Sequence, residues 1–181
     1  MRPFAFVAFL VSASTFADEA PCVSGLKLGQ RPGPYSFQIA TGPERGTTMC
    51  YVCETADKPA AIVFARTLSE PLGKLTAKLD QAIGDKRVPE LRGWLTMLSD
   101  AKQTDTETKL VDWGRKHAIK VMPLGAFEDL VGPPSYRLAR EADVTVLLFV
   151  KQKVVANFAF RTGELTDARI DEVAKGMEKL K

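Results

Sequence analysis

PAAIVFART, residues 59–67, contains an uninterrupted apolar run from Ala60 to Ala65. A strand that is buried on both faces has such a run, whereas a half-exposed strand alternates apolar and polar residues. Ser69 and Pro71 follow shortly and are typical of a helix N-cap and a first helical turn. The sequence therefore predicts a central buried strand that leads directly into a helix.

The rest of the chain extends this pattern in both directions. Upstream, alternating residues at 35–40 and β-branched or aromatic residues at 47–55 predict two strands that form a hairpin. Downstream, strands and helices alternate, and Pro123 places the strand around it near a sheet edge. The predicted downstream strands are 91–98, 119–127, 144–150 and 154–160, and the predicted helices include 71–83 and one capped by Thr166.

Length and composition indicate one globular domain. The chain has 181 residues, of which 45% are hydrophobic and 26% charged, so it can bury a substantial core. Its formal charge of +3 is spread along the sequence without a basic cluster. This distribution gives no support to a nucleic-acid-binding role, and we expect none.

The first residues have the features of a targeting segment. Arg2 precedes an apolar stretch at 3–14 that is too short to span a bilayer, and small residues lead to Ala17. We expect a signal peptide at 1–17 with cleavage near Ala17, an N-terminal arm at 18–30 and one domain at 31–181. The mature protein is then secreted or periplasmic, with no membrane span, in an oxidising compartment.

Cys50-Tyr51-Val52-Cys53 is the motif that most suggests chemistry. Its C-x-x-C spacing favours a small, reversible disulfide that could exchange with other thiols. If this segment continued as a strand, however, the two Cα atoms would lie about 10 Å apart, beyond the limit of about 7 Å for a bridge. A redox pair at Cys50 and Cys53 therefore requires the chain to turn here.

Two other interpretations of the three cysteines stay open. A purely stabilising bridge favours Cys22 as partner, because closing the longer loop to Cys50 gives about 3.5 kcal/mol against about 2 kcal/mol for Cys50–Cys53. A zinc site needs four ligands, and the chain offers these cysteines and the distant His117, so a second copy would have to contribute. His117 itself is more typical of a helix cap or a surface residue than of a general base.

The order of predicted elements resembles the thioredoxin-like superfamily, and in particular its peroxiredoxin-like branch and exported thiol-disulfide reductases. The segments that carry the resemblance are KPAAIVFAR at 58–66 and VTVLLFVKQKVVA at 144–156, which look like the first core strand and the closing hairpin. The resemblance implies an α/β fold in three layers, in which helices flank a central mixed β-sheet, with an N-terminal β-hairpin extension.

The same resemblance implies a redox site that this sequence does not retain in its usual place. In the superfamily a reactive cysteine follows the first core strand, where the next helix stabilises its thiolate, and a cis-proline faces it. Here residues 66–71 contain no cysteine, and Val144 stands at the proline position. We expect instead that Cys50 and Cys53 exchange disulfides with a thiol or disulfide of a partner protein, without a cofactor. The alternative is a non-catalytic binding module with structural cysteines.

Overall fold

The computed structural model describes residues 20–181, so the predicted signal peptide lies outside the described part. Seven strands and four α-helices occur in this range. The strands are β1 Phe37–Ile39, β2 Thr48–Met49, β3 Ala60–Ala65, β4 Arg92–Leu98, β5 Leu124–Phe127, β6 Val144–Val150 and β7 Lys153–Phe160. The helices are α1 Tyr51–Thr55, α2 Glu70–Gly84, α3 Gln103–Lys116 and α4 Asp167–Gly176, and short 3-10 helices span Pro134–Tyr136 and Met177–Leu180.

All seven strands belong to one mixed sheet, in the order β2-β1-β5-β4-β3-β6-β7. β3 pairs in parallel with β4 and antiparallel with β6, and β4 pairs in parallel with β5. β6 and β7 form the closing hairpin, while β1 pairs antiparallel with both β2 and β5. The predicted mixed sheet with an N-terminal hairpin is confirmed.

β3 lies at the centre because each of its residues is buried. Successive side chains of a strand point to opposite faces. Ala61, Val63 and Ala65 join the core that packs against α2, α3 and α4. Ile62 and Phe64 join an aromatic core on the other face, which α1 and the 3-10 helix at Pro134–Tyr136 cover. The continuous apolar run therefore reflects burial on both faces, as predicted.

Two strand predictions were wrong in detail. Only Thr48–Met49 of the predicted strand 47–55 is a strand, and the remainder turns into α1. β5 is interior rather than an edge strand, since it lies between β1 and β4. Pro123 is compatible with this position because it precedes β5 and contributes only its carbonyl, which accepts a hydrogen bond from the backbone N–H of Leu95.

Residues 20–30, the described part of the N-terminal arm, lie against the closing hairpin. The Gly29 N–H donates to the Val154 carbonyl at 2.8 Å, and the Val154 N–H donates to the Gln30 carbonyl at 2.9 Å. Nearer its start, the buried Ser24 hydroxyl hydrogen-bonds the Thr145 hydroxyl at 2.8 Å. The arm thus covers part of the outer edge of β7, which would otherwise leave backbone groups unpaired.

The aromatic core contains a short hydrogen-bond network. Trp94 Nε1 donates to the Tyr35 hydroxyl at 2.7 Å, and this hydroxyl also bonds the Thr96 hydroxyl at 2.8 Å. The ring of Tyr35 packs against those of Phe64 and Tyr136 at centroid distances of 5.5 and 5.2 Å. Because the buried polar atoms of Trp94 and Tyr35 satisfy each other, this face can be both aromatic and dry.

The three tyrosines of the chain give a testable pH dependence. Burial is the largest cause that raises the pKa of Tyr35, Tyr51 and Tyr136 above the ordinary value. An unfolded chain ionises tyrosine near pH 10, whereas the native protein keeps these protons. We expect no native tyrosinate absorbance at about pH 10–11, and a free energy of unfolding that falls as the pH rises above about 10. Normal tyrosine ionisation in the folded protein would contradict this result.

Candidate functional site

The structure brings Cys50 and Cys53 together in a disulfide with a Cα–Cα distance of 5.4 Å. The turn that makes this possible is the start of α1, where Cys50 is the N-cap residue and its Sγ accepts a hydrogen bond from the Cys53 N–H at 3.3 Å. The prediction that these residues extend a strand was therefore wrong. The chain does turn at the motif, as a bridge between Cys50 and Cys53 requires.

Packing on the aromatic core holds α1 in place. Tyr51 is buried, and its ring lies 5.7 Å from that of Phe37 and 5.6 Å from that of Trp94. The buried Thr55 hydroxyl donates to the Tyr51 carbonyl at 2.7 Å. Tertiary contacts thus stabilise a helix whose β-branched and aromatic residues favour a strand when considered alone.

The two cysteines differ in exposure. Cys50 is half-buried, whereas Cys53 is exposed and lines a cavity of about 450 Å³. The cavity wall is mainly apolar or neutral. Its lining residues are Arg31, Pro32, Gly33, Pro34, Val52, Cys53, Ala56, Phe149 and Gln152. An incoming sulfur can therefore approach Cys53 through this cavity.

The cavity lies at the end of the sheet where β3 begins. Phe149, which lines it, is paired with Ala60, the first residue of β3. The place where the superfamily carries its redox site follows the last residue of β3, at Arg66. The cysteine pair and the usual reactive corner are thus separated by the length of the central strand.

Arg66 and its contacts fill that usual corner. Its Nε donates to the Ala142 carbonyl at 2.9 Å and its Nη2 to the Ala139 carbonyl at 3.1 Å, and Nη1 bonds the Leu130 carbonyl. The Thr67 hydroxyl also donates to the Asp143 carboxylate at 2.6 Å. This corner therefore has a structural function, since the guanidinium ties the end of β3 to the chain between β5 and β6.

The segment that faces the corner lacks the other half of the usual site. No described peptide bond is cis, so the bond before Val144 is trans. The hydroxyl of the next residue, Thr145, is already bonded to Ser24 of the arm. Neither a cysteine nor a cis-proline is present at this place in residues 20–181.

Cys22 is not the disulfide partner. It is free, and it lines a cavity with Phe160 and Thr166, near the end of β7 that pairs with the start of β6. That position is roughly 15 Å along the strands from the level of Phe149, too far for a bridge to the C-x-x-C motif. Burial raises the pKa of the Cys22 thiol, which makes it a weaker nucleophile at neutral pH.

His117 lies away from the cysteines. It is the C-cap residue of α3, as expected for a capping histidine, and its side chain, 10% exposed, packs against Gly73 and Trp113. Within residues 20–181 no group of three His, Cys, Asp or Glu side chains is placed to hold a metal ion. The metal-site interpretation gains no support from the described geometry.

The fold matches solved thioredoxin-like structures. A protein assigned as the thiol:disulfide interchange protein DsbE from Chlorobium tepidum superposes with a TM-score of 0.60 at 12% identity, over 86% of this chain and 99% of that chain. Peroxidoxin BcpB from Mycobacterium tuberculosis gives the same four values. The yeast mitochondrial 1-Cys peroxiredoxin gives a TM-score of 0.60 at 8% identity, over 84% and 75% of the two chains. This chain therefore has a thioredoxin-like fold.

Sequence comparisons add nothing to this likeness, since no family model and no curated protein matches the chain. No helix in the described part of the chain is both long and apolar enough to cross a membrane. The fold is thus established by the structural likeness alone, which does not define the chemistry of the site.

Sequence reasoning identified Cys50 and Cys53 but not the residues around them. Phe149 and Gln152 reach the cavity through the β6–β7 hairpin, whose turn residues carry no motif that indicates a site. Arg31 comes from a proline-rich entry segment that carried no chemical signal. The one available signal for Phe149 is the hydrophobic pattern of β6. This pattern favours a register with β3, and that register sets the end of the sheet at which Phe149 lies.

Proposed function

We propose that this chain is an exported thioredoxin-like protein that exchanges disulfides with partner thiols through Cys50 and Cys53. The observation that carries the proposal is a disulfide between the half-buried Cys50 and the exposed Cys53, which lines a cavity. This asymmetry assigns different parts to the two cysteines. The N-terminal targeting features and the disulfide itself support an oxidising compartment.

The exchange proceeds through a mixed disulfide. In the reduced protein, the Cys53 thiolate attacks one sulfur of the partner disulfide, whose other sulfur leaves as a thiolate and takes up a proton. The Cys50 thiolate then attacks Cys53 Sγ, which expels the second partner sulfur and re-forms the Cys50–Cys53 bond. The net result is that one partner disulfide becomes two thiols while the protein dithiol is oxidised. The reverse sequence oxidises two partner thiols.

The backbone supports Cys50 as the resolving and leaving group. The Cys53 N–H already donates to Cys50 Sγ in the disulfide form, and the same N–H can stabilise a thiolate there. Cys53, by contrast, is the exposed cysteine that lines the cavity. We therefore assign the first attack to Cys53, the second cysteine of the motif.

A second function has a specific observation in its favour. Arg66 and its three carbonyl partners occupy the usual reactive corner, which is expected of a thioredoxin-like fold without a catalytic site there. In that case the protein is a non-catalytic binding module, and the Cys50–Cys53 bond simply fixes the start of α1 against β2.

A redox titration separates the two functions. The Cys22→Ser protein, which leaves one cysteine pair, is equilibrated with thiol–disulfide buffers, and alkylated species are counted by mass. We expect a reduction potential above about −300 mV, within reach of biological thiol pools. A potential well below that value would identify the disulfide as structural and overturn the exchange proposal.

A further inference from the structure

The wall of the cavity beside Cys53 carries one charged side chain, Arg31. Arg31 is exposed, and its guanidinium makes no hydrogen bond or ion pair within residues 20–181. Most other arginines of the described chain differ in this respect; Arg66, for example, bonds three carbonyls. An unpaired guanidinium at the rim of a largely neutral cavity is a ready partner for an anionic group.

The backbone around Arg31 is held on both sides. The carbonyl of the preceding Gln30 accepts from the Val154 N–H at 2.9 Å, and the carbonyl of Gly33 accepts from the Tyr136 hydroxyl at 2.7 Å. Pro32 and Pro34 fix two further φ angles. The guanidinium is therefore presented from a rigid wall, so that binding costs less conformational entropy than it would on a mobile loop.

The turn of the β6–β7 hairpin contributes a neutral side chain to the cavity. Gln152 belongs to the β6–β7 turn, and its side-chain Nε2 donates to the Asp57 carboxylate at 3.3 Å, while the Lys151 N–H donates to the Asp57 carbonyl. The nearby carboxylate is thus already engaged by the turn. Phe149, Val52 and Ala56 supply the apolar part of the lining.

We propose that the cavity selects small thiols and disulfides that carry a carboxylate, which Arg31 binds while the substrate sulfur meets Cys53. The volume of about 450 Å³ is within the range for small-molecule sites. The inference rests on the exchange function proposed above and adds the substrate class. The covalent steps are those already given, in which reduced protein and one substrate disulfide yield the Cys50–Cys53 disulfide and two substrate thiols.

The test compares three small disulfides of similar size and different charge. Reduced protein is mixed with dithiodipropionate, which is anionic, with hydroxyethyl disulfide, which is neutral, and with cystamine, which is cationic. Loss of protein thiols gives each rate. We expect the anionic reagent to react faster than the neutral one, and the ratio of their rates to fall about fivefold in Arg31→Gln and to fall similarly at high salt.

Two further variants control the result. Arg31→Lys keeps the charge and should retain much of the preference, although it loses the planar two-point geometry. Arg115→Gln, on α3 in the opposite layer, removes the same net charge away from the cavity and should keep the ratio of the unaltered protein.

The outcomes distinguish the two proposals. Equal rates for all three reagents, with the same ratio in Arg31→Gln, would overturn the carboxylate preference while leaving disulfide exchange intact. No oxidation of the reduced protein by any of the three reagents would overturn the exchange function itself, and this inference with it.

Discussion

The Cys50→Ser protein is expected to accumulate a mixed disulfide on Cys53, whereas Cys53→Ser forms almost none. Cys53 is exposed at the cavity, so it can attack an external disulfide, and without Cys50 nothing within the chain resolves the product. Cys50 is half-buried, and its Sγ accepts a hydrogen bond from the Cys53 N–H. We expect Cys50→Ser to be labelled at least roughly tenfold faster than Cys53→Ser, because attack requires access as well as thiolate character.

The measurement is whole-protein mass spectrometry after addition of a small disulfide, in a Cys22→Ser background. The double variant, with both motif cysteines replaced by serine, is the matched control and should stay unlabelled. Preferential labelling of Cys53→Ser would reverse the assigned order of attack. Turnover with a model disulfide should disappear in both single variants, and unchanged turnover in both would end the exchange proposal.

Replacing Trp94 with alanine should lower the free energy of unfolding by about 3–5 kcal/mol. Trp94 is 1% exposed, and it packs against Tyr51 of α1 and Phe149 beside the cavity. Its removal leaves a large void and deprives the buried Tyr35 hydroxyl of one partner. Because Tyr51 follows Cys50 directly, we also expect α1 to become more accessible to proteolysis.

Trp94→Phe separates volume from hydrogen bonding. The phenyl ring fills much of the site, while the Nε1 donor is lost and Tyr35 retains only Thr96. We expect a cost nearer to about 1–2 kcal/mol, measured by denaturant unfolding with the disulfide intact. A loss below about 1 kcal/mol for Trp94→Ala would show that the aromatic face is not a packed core.

The candidate site was only partly predictable from sequence. The spacing of Cys50 and Cys53 identified the pair, and the missing cysteine after β3 excluded the usual corner. The conformation of this segment was predicted wrongly, because Tyr51, Val52 and Thr55 have strand preferences that the packing of Tyr51 on Phe37 and Trp94 overrides. The pairing with Cys22 that loop entropy favoured did not occur, since the arm holds Cys22 at the other end of the sheet.

The sequence by itself determined the central strand, the helix caps at Ser69 and Thr166, and the closing hairpin, since each depends on residues that are neighbours along the chain. Only the tertiary structure decided that α1 is a helix, that Arg66 closes the corner after β3, and that Arg31 shares a cavity with Cys53. These features depend on contacts between segments distant in sequence. A local pattern cannot encode such contacts, because the strand register that brings the segments together is set by the packing of the whole sheet.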